Sequence, residues 1–238
     1  MKKTVALAAL TASLMSTGVL AAPVAGSSLQ DALNAAGAAV DVNNDQYVSD
    51  SYWLIGSSTV AVTNILFEFA GFADSTAFGI YDKDNAGSKL QVYGGVSSPG
   101  SIALIANSSV SGGRQFCTAP LFSMPTCTVF AGSQFGFYLQ TQSGTFYSDS
   151  DLNGDNFDHL VAYQGNHTGS NPSYINGSPW LANEFVLAWE DLWGGGDADY
   201  DDFVVLVESV VSAPEPTTLG LFGLGLLAAG LRARKRRP

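Results

Sequence analysis

The chain has 238 residues, of which 46% are hydrophobic and 13% charged, and its formal net charge is −11. Residues 26–212 alone contain three basic and twenty acidic side chains, which gives this central part a formal charge of −17. Such an acidic surface repels nucleic acids, phosphates and anionic lipids, so we expect cationic or neutral partners and no nucleic acid.

The first 25 residues have the pattern of a secretory signal peptide. Two lysines follow the first methionine, residues 5–20 are apolar, and small residues follow at Ala21, Ala22 and Ala25. This order of charged, apolar and small residues predicts export, with cleavage between residues 21 and 25. A buried N-terminal helix of the folded domain is the alternative interpretation.

The central part, residues 26–212, has the size of one all-β domain. After a short helix expected to begin near Ser28 and to end at Gly37, apolar runs alternate with clusters of Gly, Ser, Asn, Asp and Pro. We expect strands near residues 59–69, 76–81, 89–93, 101–106, 114–118, 126–130, 134–141, 144–147, 159–164, 184–189 and 203–211. This spacing predicts an all-β fold, an antiparallel and jelly-roll-like β-sandwich.

The two cysteines, Cys117 and Cys127, are separated by nine residues. In an exported protein such a close pair predicts a disulfide. The bond would close a short loop and contribute about 2–3 kcal/mol of stability.

A first acidic loop follows the strand near residue 145. Its start has the D-x-D-x-N-G pattern of an EF-hand calcium loop, but Leu160 stands where the twelfth residue should be glutamate, and no helices flank the loop. A calcium loop of another geometry and a turn stabilised by its own Asx side chains are both open interpretations. The candidate ligands are Asp149, Asp151, Asn153, Asp155 and Asp158.

A second acidic loop lies between two apolar runs that end near residue 189 and begin at residue 203. It holds three glycines and six carboxylates in thirteen residues, with no lysine or arginine. Because so much like charge repels itself unless a cation or water compensates it, we expect either a calcium site or a solvated loop. The candidate ligands are Glu190, Asp191, Asp197, Asp199, Asp201 and Asp202.

Two other kinds of site have weaker support in the sequence. Trp53, Trp180, Trp189 and Trp193 would make a carbohydrate-binding face if they were exposed, although core packing is the commoner fate of tryptophan. A hydrolase would need His159 beside an activated serine, and the sequence has no G-x-S-x-G elbow. We therefore expect no catalytic residues and no enzymatic activity.

The end of the chain combines three features in order. Pro214, Glu215 and Pro216 come first, then an apolar stretch over residues 217–231, then a cluster of five basic residues. As a helix the 15 apolar residues would be about 22 Å long, short for a bilayer, with the basic cluster on the cytoplasmic side. This end resembles the PEP-CTERM sorting signal of Gram-negative bacteria. The resemblance implies recognition by an exosortase, cleavage near Pro214–Glu215–Pro216, and delivery to the outer surface.

The body resembles the family known as domain of unknown function 4114. The motifs that carry the likeness are Asp158–His159, the run A-W-E-D-L from residue 188, and G-G-G-D-A-D-Y-D-D-F from residue 194. Further likeness upstream extends it over about residues 40–211. The family implies a surface β-domain with calcium and supplies no activity.

Together these patterns predict three segments: a signal peptide over residues 1–25, a β-sandwich body over 26–212, and a sorting helix over 213–238. We expect a non-enzymatic protein exported from a Gram-negative cell to its envelope or matrix, with structural calcium. The expected partners are an exosortase-type protease, extracellular polysaccharide, and the inner membrane through residues 217–231. A carbohydrate-binding module is the main alternative, and a glycan hydrolase is the second.

Overall fold

The computed structural model describes residues 23–68, 76–95, 97–120, 125–166 and 173–213. The apolar signal segment, the sorting motif at Pro214–Glu215–Pro216 and the apolar stretch 217–231 lie outside the described residues. Within the described part of the chain, no helix is long and apolar enough to cross a membrane.

The described chain forms one α-helix, α1 (Ser27–Ala35), two short 3-10 turns (Ser150–Leu152 and Trp193–Gly195) and fifteen strands. The strands are β1 (Trp53–Ile55), β2 (Val60–Glu68), β3 (Ala77–Asp82), β4 (Asn85–Tyr93), β5 (Ile102–Val110), β6 (Gly113–Pro120), β7 (Thr126–Phe130), β8 (Phe135–Gln140), β9 (Thr145–Tyr147), β10 (Leu160–Gln164), β11 (Tyr174–Ile175), β12 (Ser178–Pro179), β13 (Glu184–Trp189), β14 (Phe203–Glu208) and β15 (Val210–Ser212).

Two antiparallel sheets pack face to face. The larger sheet has seven strands in the order β10-β13-β14-β2-β5-β6-β7, and the smaller has the order β15-β1-β8-β3-β4, with β9 also paired to β8. The β11–β12 pair forms a separate small ribbon. The predicted antiparallel β-sandwich is therefore confirmed.

An aromatic core fills the space between the sheets. Phe78 and Phe137 of the smaller sheet stack at 5.5 Å between ring centroids, and Phe78 also contacts Phe203 of the larger sheet at 5.4 Å. Side chains alternate along a strand, so residues two apart face the same side. Alternate residues of β13 and β14 therefore point into this core, including Leu187 and Val205.

Helix α1 covers the outer face of the larger sheet. Its buried residues Leu29 and Leu33 pack in a second cluster with Val186 and Val204, the residues of β13 and β14 that point away from the first core. These two strands are consequently buried on both faces, which explains why they are continuous apolar runs. The helix begins at Ser27, one residue before the expected start, and its cap residue Gly26 makes no side-chain cap bond.

All eleven predicted strands are present, and the last of them divides into two. Residues 203–211 were expected as one strand, but Ser209 has a left-handed φ of 62° and ends β14 at Glu208. β14 pairs within the larger sheet, whereas β15 pairs with β1 of the smaller sheet. The turn at Ser209 thus carries the chain from one sheet to the other.

The predicted disulfide joins Cys117 and Cys127. These residues are direct partners in the register of β6 and β7, the two outermost strands at one edge of the larger sheet. The bond therefore ties the edge hairpin closed, and no described cysteine is free.

Replacing Glu208 by glutamine is expected to raise the free energy of unfolding at pH 7 by about 0.5 kcal/mol. Glu208 lies directly opposite Glu184 on the neighbouring strand, and burial, with the charge of Glu184, raises the pKa of Glu208. A carboxyl whose pKa is raised in the folded state makes the protein less stable as the pH rises and the group ionises. The gain from Glu208→Gln should therefore vanish near pH 4. Urea unfolding at both pH values checks this.

The reverse variant, Glu184→Gln, is the control for that experiment. Leu181 N–H donates a hydrogen bond to the carboxylate of Glu184 at 2.9 Å, so this substitution weakens one bond while it removes the repulsion. We expect a smaller gain from it. A gain in stability equal to or larger than that of Glu208→Gln would contradict the conclusion that Glu208 is the more destabilised carboxyl of the pair.

Candidate metal centre

The second acidic loop connects β13 and β14, two neighbouring strands inside the larger sheet, at one end of the sandwich. β13 ends at Trp189 and β14 begins at Phe203, and these two residues are direct partners in the sheet register. Glu190 and Asp202 are the next residues outward on each strand, so the sheet itself brings their side chains together. The pairing of β13 with β14 therefore positions two of the six acidic residues, whatever conformation the loop between them adopts.

Three carboxylates converge at this end of the sandwich. Glu190, Asp199 and Asp202 each offer an oxygen atom, and the three oxygens lie within 4.8 Å of one another. Glu190 is 0% exposed, whereas the other two are half-buried. One member of the cluster is therefore buried, while the other two are partly accessible to solvent.

Neither carboxylate oxygen of Glu190 accepts a hydrogen bond from the described residues. Its close neighbour Asp202 is another acceptor, so a bond between them would require a proton on one of the two carboxyls. An ionised carboxylate buried without a donor costs several kcal/mol. Either a proton or a cation has to compensate the charge of Glu190.

The pKa values of the cluster follow from burial and like charge. Desolvation, followed by the charges of Asp202 and Asp197, raises the pKa of Glu190 to about 8. Desolvation also raises the pKa of Asp202 to about 6, against a hydrogen bond from Asp191 N–H. Asp201 is raised to about 6, mainly by desolvation. The loop thus resists ionisation wherever no cation is bound.

Gly196 allows the loop backbone to approach this carboxylate. It has a φ of 44°, and a Cβ added there would lie 2.3 Å from Oε1 of Glu190. Only glycine therefore fits at this position without displacing the buried carboxylate. The run of three glycines in the sequence has, at its third member, a specific steric cause.

The N-terminal segment contacts the same cluster. Asp199 accepts a hydrogen bond at its backbone oxygen from Gly26 N–H and one at its carboxylate from Ser28 Oγ, both at 3.3 Å. A Cβ on Gly26 would lie 2.5 Å from Cβ of Asp199. The start of α1 and the acidic loop are therefore packed against each other.

The first acidic loop is joined to the second by hydrogen bonds. Asp155 accepts bonds from Gly194 N–H at 2.8 Å and shares a 3.0 Å contact with His159 Nε2. Desolvation acts to raise the pKa of Asp155, but the bonds from Gly194 and His159 lower it overall. His159 Nδ1 lies 2.9 Å from the backbone oxygen of Glu190. His159 thus has a structural role and bridges the two loops.

The other candidate ligands of the first loop bind protein groups. Asn153 is buried and bonds the backbone of Tyr147 and Phe157. Asp149 accepts hydrogen bonds from Tyr52 Oη and Asp151 N–H. Desolvation raises the pKa of the half-buried Asp158 to about 6, while Leu160 N–H bonds it weakly. Asp151 itself is exposed.

The remaining candidates of the second loop lie around the cluster. Asp191 is buried and its N–H donates to Asp202, Asp197 is exposed, and the N–H of Asp201 donates to Asp199. Of the eleven metal ligands predicted from the sequence, the described structure brings three to one point. No described histidine, cysteine or further acid joins them.

Three of the four tryptophans are core residues. Trp53, Trp180 and Trp189 are 0% exposed, so a carbohydrate-binding face built on them is excluded, and the expectation fails at these three positions. Trp193 is 53% exposed, and its Nε1 donates to Ser143 O. His159, the residue a hydrolase would have needed, is fully buried between its two partners.

Comparisons with known protein families match two parts of the chain. Residues 130–210 match the domain of unknown function (DUF4114), and residues 212–237 match the PEP-CTERM protein-sorting motif. Both resemblances seen in the sequence are confirmed, although the first match begins at residue 130 rather than near 40. The cluster of three carboxylates lies inside the matched part. No curated protein and no solved structure matches this chain.

Proposed function

We propose that this chain is a non-catalytic surface protein whose acidic end is held together by a structural calcium ion. The sorting motif marks it as an exported protein that an exosortase sorts to the cell envelope. The observation that carries the proposal is Glu190, a fully buried carboxylate without a hydrogen-bond donor, in one cluster with Asp199 and Asp202. No described lysine or arginine pairs with it.

The donor set favours calcium over other metals. Calcium takes six to eight oxygen ligands in flexible geometry, so three carboxylates, with backbone oxygens and water, suit it. Zinc prefers nitrogen and sulfur ligands, but His159 has both ring nitrogens engaged and both cysteines form the disulfide. Magnesium keeps several of its waters and is usually bound through one or two carboxylates, so three carboxylates in one cluster favour calcium.

The proposed role of the ion is mechanical. It would neutralise Glu190 and connect the ends of β13 and β14 to Asp199, which itself holds the start of α1 through Gly26 and Ser28. Calcium would then join the adjoining ends of β13 and β14, the glycine loop between them and the N-terminal segment. A domain stiffened in this way suits the extracellular side, where structural calcium sites of modest affinity are filled.

Calorimetric titration of calcium into the full chain in detergent tests this directly. We expect one site, weakened about tenfold or more by Asp199→Asn, because a cation loses a charged ligand. Asp151→Asn removes an equal charge from an exposed residue of the other loop and should leave binding unchanged. Absence of binding at millimolar calcium, or equal loss in both variants, would refute the site.

The end of the chain supports a sorting route. We propose cleavage by the exosortase near Pro214–Glu215–Pro216, with residues 217–231 holding the chain in the inner membrane until then. Association with extracellular polysaccharide is proposed through Trp193, whose exposed ring is fixed by its bond to Ser143 O and by an edge contact with Phe146 at 5.8 Å. Unchanged retention of Trp193→Ala on matrix polysaccharide would count against that association.

The mature chain is expected to begin at or before Pro23, earlier than the cleavage limit of residue 25 that the sequence allows. Ala25 is buried, and both its backbone N–H and its carbonyl bond the side chain of Asn43. The carbonyl of Pro23 accepts a hydrogen bond from Gln46 at 2.8 Å. Mass spectrometry of the exported protein checks this, and a mature N-terminus at Gly26 would contradict it.

A further inference from the structure

Arg114 differs from the two lysines of the acidic body. Lys83 lies 3.9 Å from Asp84 and Lys89 lies over two tyrosine rings, so each has a stabilising partner. The guanidinium of Arg114 donates to the neutral amide of Asn107 at 3.3 Å, and among the described residues it pairs with no carboxylate. Although the body has twenty acids, Arg114 forms no ion pair with a described one, so ion pairing within the fold is not its role.

This arginine lines a cavity of about 500 Å³ at the other end of the sandwich. β2 begins beside the cavity and ends near the acidic cluster, and its nine residues place the two about 26 Å apart. The cavity walls come from β1 and the turn that follows it, from β5 and β6, from Ser133 just before β8, and from Val211 of β15. The two ends of the molecule therefore carry different chemistry.

The lining combines one positive charge with many hydroxyl groups. Arg114 is its sole ionisable residue, and it is joined by the amide of Asn107, by hydroxyls including those of Ser57 and Ser133, and by apolar Leu54 and Val211. A cavity of this volume falls within the range of small-ligand sites. Guanidinium groups bind carboxylates through two parallel hydrogen bonds, and hydroxyl and amide side chains match the hydroxyls of a sugar ring.

From this combination we infer that the cavity binds a carboxylated sugar unit, such as a uronic acid residue of a polysaccharide. One guanidinium neutralises one carboxylate, and the apolar side chains offer a surface for the C–H face of the ring. A phosphate group fits less well, because it is tetrahedral and brings more charge than one carboxylate to a body whose formal charge is −17. The inference is independent of the calcium site, which lies at the opposite end.

Calorimetric titration of the full chain in detergent with galacturonic acid tests the inference. The comparison probes are neutral galactose and inorganic phosphate, each with calcium and with chelator. We expect binding of the uronate alone, unaffected by calcium, and at least about tenfold weaker in Arg114→Gln because a charged hydrogen-bond pair is lost. Lys89→Gln removes the same charge from beside Tyr138 and Tyr147, outside the cavity lining, and should bind like the wild type.

Arg114→Lys is the second variant, since it keeps the charge and loses the planar fork; its affinity should be intermediate. The thermal midpoint of each variant verifies that the domain is folded. The inference is overturned if the wild type does not bind at millimolar uronate, if Arg114→Gln binds equally well, or if either comparison probe binds as tightly. Uronate binding that requires calcium would move the site to the acidic end and overturn it as well.

Discussion

Saturating calcium is expected to raise the midpoint of thermal unfolding by about 5–10 °C at pH 8, relative to chelator. A ligand at a hundred times its dissociation constant contributes about 2.7 kcal/mol, and a domain of this size changes by about 2–4 °C per kcal/mol. The physical source is Glu190, which is buried beside Asp199 and Asp202 without a donor. Differential scanning calorimetry with matched magnesium as a control gives the measurement.

The variant Glu190→Gln should be more stable than the wild type in chelator and should respond little to calcium. Without metal it removes a buried like charge, so its midpoint with chelator should exceed that of the wild type. With calcium it lacks the buried ligand, so the calcium-dependent rise should shrink to about a degree or less. The exposed Asp151→Asn should behave as the wild type in both conditions. A full calcium response in Glu190→Gln would disprove the assignment of this residue.

The same cluster predicts the pH dependence. Burial and the neighbouring acids raise the pKa of Glu190 to about 8 and those of Asp201 and Asp202 to about 6. An acid whose pKa is raised on folding binds its proton more tightly in the folded state, so the metal-free protein should lose stability as the pH rises from about 4 to 8.

Calcium needs the ionised carboxylates, so its stabilising effect should be small at pH 5 and large at pH 8. The difference in midpoint between calcium and chelator, followed across this range, checks the sign. A difference that is largest at pH 5 would show that the carboxylates of this cluster are not the ligands.

Replacing Gly195 by alanine is expected to cost about 3 kcal/mol of stability. Gly195 has a φ of 82°, a left-handed conformation that costs an alanine about 1 kcal/mol, and its added Cβ would lie 2.1 Å from the ring of Phe157. Phe157 packs between His159 and Tyr200, so moving its ring disturbs the contact between the acidic loops. Overpacking of this kind adds about 1–3 kcal/mol.

Gly194→Ala is the matched control. Gly194 has a φ of 70° but no atom within 4 Å of an added Cβ, so only the conformational cost of about 1 kcal/mol applies. Urea unfolding of both variants separates the two terms. Equal losses in the two variants would mean that Phe157 moves freely, and that the loop is held by its backbone conformation alone.

Local patterns determined much of this protein. Apolar runs bounded by Gly, Asn and Asp predicted eleven strands, because alternation and turn residues act within a few positions of each other. The spacing of Cys117 and Cys127 predicted a disulfide that joins register partners. The tail motif was readable for the same reason, since the whole signal is contiguous in sequence.

Tertiary structure decided what the acidic residues do. The sequence could count eleven candidate ligands but could not separate Asp155, which the folded chain gives to Gly194 N–H and His159, from Glu190, which it leaves without a donor. It also could not show that Ser209 moves the chain between sheets, or that Arg114 forms no ion pair with a described carboxylate. These outcomes depend on which strands become neighbours, and distant parts of the chain settle that only when two sheets and a helix pack together.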